Sequence, residues 1–239
     1  MASTASNASN AETKEFRLDL SKCRSLEGAE ALEAVKRDGN MLAFVYNQTP
    51  EIVEAAIRGY TPSIKYARNQ TRDMCILVVT ITGENIKYIR DQTPEICRLA
   101  LKQDPFSLRF IRNQTEELCI YAVESNPDVL CFVKNQTPAI CMAAVSKKGS
   151  VLPFVVNQTK PICMAAVENY GSALSYVIEQ DEDICIAAVK ANPTAIVYVD
   201  KRIFEEKYKI ADITADIIMK GAKKLSAAEK AALIEQLLE

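Results

Sequence analysis

Histidine is absent from all 239 residues of this chain. Without it neither a Ser-His nor a Cys-His nucleophile–base pair can be built. A glycine-rich phosphate loop is missing too, and the carboxylates are spread along the chain rather than paired. These gaps predict a protein that is not an enzyme, with no catalytic residues, no cofactor and no small-molecule substrate. No apolar run approaches the ~18 residues that span a bilayer, which predicts no membrane partner. An excess of one charge is lacking as well: 29 Lys and Arg against 31 Asp and Glu leave a net charge of −2. That is too close to zero to announce a nucleic-acid or membrane protein by charge alone. Residues 1–16 have neither the basic start nor the apolar centre of a secretory signal. Their Ser, Thr, Asn and Ala content predicts a disordered tail over 1–14.

What the chain does have is order at one period. Asn-Gln-Thr begins at Asn47, Asn69, Asn113, Asn135 and Asn157, all on a 22-residue step. Asp91 keeps the register as Asp-Gln-Thr, and Glu179 as Glu-Gln-Asp. Cys75, Cys97, Cys119, Cys141, Cys163 and Cys185 follow the same step. Self-similarity at a period of about 20–50 residues marks a stacked repeat architecture, which typically binds along an extended surface.

Within one unit, Thr followed by Pro is a helix start, because the hydroxyl caps a free N–H and Pro surrenders a donor that has no partner there. Thr49-Pro50, Thr93-Pro94 and Thr137-Pro138 fit, and Thr159-Lys160-Pro161 shifts the Pro by one place. The first helix, as in Ile162-Cys163-Met164-Ala165-Ala166-Val167, is apolar nearly all round and is predicted to be buried on every side. Ala100, Ala122, Ala144, Ala166 and Ala188 recur three places after the Cys and let neighbouring helices approach closely. Gly83, Pro105, Pro127, Gly149, Gly171 and Pro193 then end one helix and open the next. The second helix carries Leu or Ile, then an aromatic column (Phe44, Tyr66, Tyr88, Phe110, Phe132, Phe154, Tyr176 and Tyr198) read as occupying core slots, then an aliphatic residue.

The predicted fold class is therefore all-α, an α-solenoid of tandem 22-residue helix-turn-helix repeats with terminal caps. Residues 15–46 read as an N-terminal cap and degenerate first repeat, with Ala31 in the Cys slot, and 47–200 as the repeat array. Residues 201–239 read as a degenerate repeat and capping helices, the last opened by the capping box Ser226-Ala227-Ala228-Glu229.

The Asn-Gln-Thr ladder also fits an N-glycosylation acceptor. Its fixed place at a helix start favours a scaffold role, with Asn bonding the local turn, Gln reaching the adjacent repeat and Thr capping the next helix. The cysteines, one per repeat, are too dispersed for zinc or a disulfide. They read as small buried hydrophobes, reduced in an intracellular compartment. Cys23 and Cys131 fall outside the column. The candidate partner-binding feature is a basic track: Lys65, Lys87 and Arg109 stand one place before the aromatic, and Arg68, Arg90, Arg112 and Lys134 two places after it. Such a stripe suits an acidic protein strip or phosphates. Glu51, Asp73, Glu95 and Glu117 follow closely in sequence and are candidates to neutralise it. Farther on, the same positions become Val156 and Ile178, which with Val151 would form an apolar patch if exposed.

The unit Asn-Gln-Thr-Pro-Glu/Ala-Ile-Cys-X-X-Ala-Val, closed by Leu-X-Phe/Tyr-Val, resembles the short repeats of an uncharacterised family. Those repeats occur in proteins of large DNA viruses that infect amoebae and in some bacteria. The resemblance covers about Leu26 to Val199 and is clearest over Asn113–Val177, with departures at Glu179-Gln180-Asp181 and at Val53. It implies a helical repeat and a viral origin, hence the host cytoplasm or the virion, and it supplies no activity. The function expected is a non-catalytic scaffold that binds a protein partner through its second-helix face. The alternatives are nucleic-acid binding along the basic track and end-to-end self-association.

Overall fold

The computed structural model describes residues 26–200 and 202–205, and its contacts divide them into two compact units, one closing at Asn69 and the other opening at Gln70. The tail expected over 1–14, Cys23 and the capping helix after Gly221 lie outside the described residues. The first unit holds the α-helices α1 (Gly28–Arg37) and α2 (Pro50–Gly59), each followed by a 3₁₀ helix, η1 (Gly39–Phe44) and η2 (Thr61–Tyr66). The second unit opens with α3 (Arg72–Ile81), η3 (Gly83–Tyr88), α4 (Pro94–Gln103), η4 (Pro105–Phe110), α5 (Glu116–Ser125) and η5 (Pro127–Phe132). It continues with α6 (Pro138–Lys147), η6 (Gly149–Phe154), α7 (Lys160–Asn169), η7 (Gly171–Tyr176), α8 (Glu182–Ala191), η8 (Pro193–Tyr198) and the short α9 (Arg202–Glu205). Within the second unit each α-helix from α3 to α8 packs on the next, as does each 3₁₀ helix. The chain is an all-α helical repeat on the 22-residue step. Among the described residues the one isolated β pairing is Leu26 with Val45.

Thr49, Thr71, Thr93, Thr115 and Thr137 each accept, through Oγ1, the backbone N–H three residues on, at 3.4 Å. Asp181 does the same for Ile184 at 2.9 Å. Thr159, whose Pro is displaced by one place, makes no such bond. The helix then closes on the small-residue column, where Asp104 N–H bonds to Ala100 O at 2.9 Å and Asn126 N–H to Ala122 O at 2.8 Å.

These α-helices are not buried all round. In α6, Ile140, Cys141, Ala144 and Val145 are buried, Met142 and Ala143 are half-buried, and Ser146 and Lys147 are exposed. Neighbours on either side cover one broad stripe, while Met142 and Ala143 pack only along the core's edge.

The second element is a six-residue 3₁₀ helix, not an ordinary α-helix. At about three residues per turn, positions i and i+3 eclipse. Leu108 thus lines up with Ile111, Leu130 with Val133 and Leu152 with Val155, and all are buried. The N–H of Ile111 closes the turn on Leu108 O at 3.1 Å. Asp104 and Asn126 start their turns by accepting the N–H two residues on, each at 3.0 Å. Eclipsing also swings the aromatic away from the core. Phe44, Tyr66, Tyr88, Phe110 and Phe132 are half-buried, and Phe154, Tyr176 and Tyr198 are 45%, 46% and 43% exposed. The aromatic column thus lies on the surface side of the 3₁₀ helices rather than in core slots.

The Gln of each triplet joins consecutive repeats. Gln114 Nε2 donates to Leu108 O at 2.9 Å and to Phe132 O at 3.1 Å, and its Oε1 accepts the Lys134 N–H at 2.9 Å. Gln48, Gln92, Gln136, Gln158 and Gln180 make the same set within their own units. The Asn beside them behaves otherwise than expected. Asn113, Asn135 and Asn157 are exposed, and their side chains make no hydrogen bond among the described residues. The turn is already held by Gln and Thr.

Among the described glycines, Gly149 lies closest to a neighbouring backbone. A Cβ there would lie 2.1 Å from Ala166 O and 2.9 Å from Tyr170 Cβ, and the Gly149 N–H donates to Asn169 Oδ1 at 2.7 Å.

Four variants in urea unfolding check this architecture. Gln114→Ala lowers stability by about 2 kcal/mol, since it strands the Phe132 carbonyl and the Lys134 N–H and leaves Leu108 O with the Ile111 N–H alone, whereas Asn113→Ala shifts it by less than about 0.5 kcal/mol. Gly149→Ala costs about 1–3 kcal/mol through overpacking. Gly59→Ala, where a Cβ meets nothing within 4 Å, is neutral or stabilises by up to about 1 kcal/mol.

Candidate interaction face

The basic residues divide by position into two structural roles. Of those two places after the aromatic, Arg68, Arg112 and Lys134 clamp the backbone of the preceding repeat. In the first unit Arg68 donates to Tyr46 O at 2.5 Å and Val45 O at 3.4 Å, with its guanidinium 5.7 Å from the Tyr46 ring centroid. In the second unit Arg112 donates to Ile89 O at 2.8 Å and Arg90 O at 2.5 Å. Lys134 Nζ reaches Ile111 O and Arg112 O, both at 3.1 Å. Arg90 is exposed and its N–H donates to Gln70 Oε1 at 2.9 Å. Charged donors on carbonyls make short, strong bonds, so these cations hold the stack together while showing their flanks to solvent.

Those one place before the aromatic lie over rings. Lys65 Nζ sits 4.7 Å from the Tyr66 centroid. Lys87 Nζ lies 5.1 Å from both Tyr88 and Phe110, and Arg109 lies 4.7 Å from Phe110 and 5.9 Å from Phe132. These are cation–π distances. Lys87 and Arg109 also meet at one carboxylate, Glu84, the first at 3.9 Å and the second in a direct ion pair.

The acids considered as neutralisers of the track face elsewhere. Glu95 pairs with Arg72 at 2.5 Å and Glu117 with Arg98 at 3.1 Å, both between consecutive α-helices, and Asp73 lies 3.8 Å from Arg72. Glu51 is exposed in α2. They sit in the first turn of the α-helix, which points away from the 3₁₀ face. Sequence proximity does not carry over here. Glu84, on the 3₁₀ helix itself, is the acid that Lys87 and Arg109 meet, and its place three residues before Lys87 is the sequence signal for it.

The apolar group also changes membership. Val151 is 1% exposed and belongs to the core beside Leu152. Val156 and Ile178 are 82% and 75% exposed. They line one cleft of about 460 Å³ together with Asn157, Glu179 and Asp181. A second cleft, of about 340 Å³, lies one repeat earlier between Asn135, Gln136 and Val156. Burial works against the Asp181 anion, yet the Ile184 N–H and Lys160 beside it hold the carboxyl below its ordinary value. Lys160 bridges Asp181 at 2.9 Å and Asp183 at 2.5 Å. Phe154, Tyr176 and Tyr198 join this exposed set. No local sequence signal marks their outward position, because Leu and an aliphatic residue three apart suit α and 3₁₀ geometry equally.

The column cysteines are free and buried, and Cys131 is free and exposed. Burial pushes the Cys97 thiol up to about 11 and Cys185 up to about 12. Among the described residues no cluster of three or more ligating side chains is placed to hold a metal ion, and no helix is long and apolar enough to cross a membrane. Iodoacetamide at neutral pH, read by mass spectrometry, therefore labels Cys131 and leaves the column untouched until the protein unfolds. A thiol that ionises less readily when folded contributes stability that is complete below its ordinary value of 9.0. That contribution falls as pH rises from there toward about 11 for Cys97 and about 12 for Cys185, so alkaline unfolding midpoints drop over this window and not below it.

No curated protein and no solved structure matches the chain. Residues 159–204, which span α7, η7, α8, η8 and the start of α9, match the family described as "Domain of unknown function (DUF4116)".

Proposed function

We propose that the chain is a non-catalytic helical-repeat scaffold that binds a protein partner through the face built by its 3₁₀ helices and Asn-Gln-Thr turns. The observation that carries this reading is the exposure, in the second unit, of Val156, Ile178, Phe154, Tyr176 and Tyr198 on that face, at 43–82%. Large apolar side chains left together in solvent mark contact surfaces. The surrounding backbone is fixed by the Gln bonds, so docking orders little and loses little affinity to entropy. A viral structural or host-interaction role, in the host cytoplasm or the virion, is the finer form of this reading, and it rests on the resemblance of the repeat unit alone.

A second reading has its own observation. Lys87 and Arg109 lie among the half-buried rings of Tyr88, Phe110 and Phe132, and cations interleaved with aromatics suit single-stranded nucleic acid. The clamping of Arg112 and Lys134 onto backbone carbonyls leaves fewer charges for phosphates, which is why it ranks second.

Affinity capture from native lysate separates the two. A discrete protein set retained after nuclease and lost with Val156→Asp/Ile178→Asp is the expected result. Capture that disappears with nuclease, falls steeply with salt and is lost with Lys87→Glu/Arg109→Glu would instead establish nucleic-acid binding.

A further inference from the structure

We propose that the two clefts beside Val156 and Ile178 receive arginine side chains from an extended segment of the partner, which supplies in trans the clamp that the chain makes for itself in other repeats. This inference rests on the protein-binding reading and names the chemistry the partner presents.

The repeats themselves are the comparison. At the position two places after the aromatic, Arg112 and Lys134 cross the gap to the preceding turn and donate to two adjacent carbonyls. In the next two repeats the backbone is placed in the same way. Val156 N–H donates to Gln136 Oε1 at 2.9 Å and Ile178 N–H to Gln158 Oε1 at 3.1 Å, as Lys134 N–H does to Gln114 at 2.9 Å. Only the side chain changes. Neither Val nor Ile can donate, so the equivalent carbonyls of Val133 and Lys134, and of Val155 and Val156, receive no side-chain donor among the described residues. The clefts of about 340 and 460 Å³ open between these same turns.

The lining suits a guanidinium. Val156 and Ile178 offer aliphatic surface for its methylene stem, and the paired carbonyls match its planar fork of donors. Asn157, whose amide is unbonded among the described residues, lines both clefts, and Glu179 adds negative charge to the larger one, where Asp181 is paired with Lys160. Lys134, beside the smaller one, has its Nζ on Ile111 O and Arg112 O. Lys160 is held by Asp181 and Asp183, which draws its charge to the acids. Helices in a stack lie about 8–10 Å apart, and an extended chain advances about 3.3 Å per residue. Arginines three residues apart therefore span neighbouring clefts, and joining them makes the second contact intramolecular.

The test is an NMR titration of the full chain with the peptide Ac-Gly-Arg-Gly-Gly-Arg-Gly-amide, alongside the same peptide with both arginines replaced by citrulline. Expected are shifts confined to the amides of residues 133–136, 155–158 and 178–180, and binding at least about tenfold weaker for the citrulline peptide. Val156→Arg/Ile178→Arg fills the clefts from within and weakens the arginine peptide by at least about tenfold, while Ser146→Arg/Ala191→Arg, with equal added charge elsewhere, stays within about twofold. Circular dichroism confirms that both variants fold. Equal binding of the citrulline peptide, unchanged binding by Val156→Arg/Ile178→Arg, or no binding to the wild type overturns the proposal. A partner captured through Val156 and Ile178 that the arginine peptide does not displace would sink this inference and leave the scaffold reading standing.

Discussion

One carboxamide per repeat sets the geometry of everything around it. Gln114 donates to the last turn of its own 3₁₀ helix and to the last turn of the next, and accepts the N–H two residues beyond the second of these. The Phe132 carbonyl and the Lys134 N–H flank the buried Val133, so the amide grips the next repeat on both sides of its last core residue. The bond requires a donor and an acceptor on one planar group, held at the end of two methylenes. Asn falls one methylene short and Glu has no donor when ionised. That requirement explains why Gln persists even in Glu179-Gln180-Asp181, where both neighbours have changed: Gln180 still reaches Leu174 O and Tyr198 O, at 3.3 and 2.9 Å.

The 3₁₀ helix that this amide pins has a second consequence. Its turns set Leu and the following aliphatic residue in one line toward the core, and the aromatic between them is turned outward. The face thereby acquires rings in every repeat, among which Phe110 and Phe132 also pack along the core's edge. Over Tyr88 and Phe110 the rings are topped by Lys87 and Arg109, which share Glu84. Past Phe132 the cations give way to Pro153, Ser175 and Val197, and Phe154, Tyr176 and Tyr198 stand open. The face therefore changes along the second unit from cation-covered to apolar, while the backbone beneath it does not. The exposed pairs Arg72–Glu95 and Arg98–Glu117 lie on the α-helices, and such surface pairs add little stability.

Much of this was readable from residue types. The period, the Thr caps, the buried Cys and Ala columns and the cross-repeat reach of Gln all follow from what those side chains can do at a helix start. Three features were hidden, each for a physical reason. Leu and an aliphatic residue three apart suit α and 3₁₀ geometry equally, so the pattern alone places the aromatic between them in the core. Val151 belongs to the column Ser63, Asn85, Ser107, Val129, Val151, Ala173 and Ala195, all of them buried, but its mixture of polar and apolar residues hides that burial from the sequence. The roles of Arg112 and Lys134 depend on carbonyls 22 and 23 residues earlier, which no local pattern reveals.

The clamp column shows how scaffold and surface are separated. Its backbone N–H is always taken by Gln, so the side chain is not needed to place the turn. Where it is Arg68, Arg112 or Lys134, it adds a charged bond to the preceding repeat. Where it is Val156 or Ile178, the core pairs Leu152–Val155 and Leu174–Val177 remain buried and the fold continues unchanged. A repeat chain can therefore vary this column freely, because its stability is approximately a sum of local and nearest-neighbour terms and no single clamp is indispensable. The same independence gives the loss of a clamp a local result: two carbonyls, an amide and an aliphatic side chain face solvent together at one turn, on a backbone already rigid enough to present them.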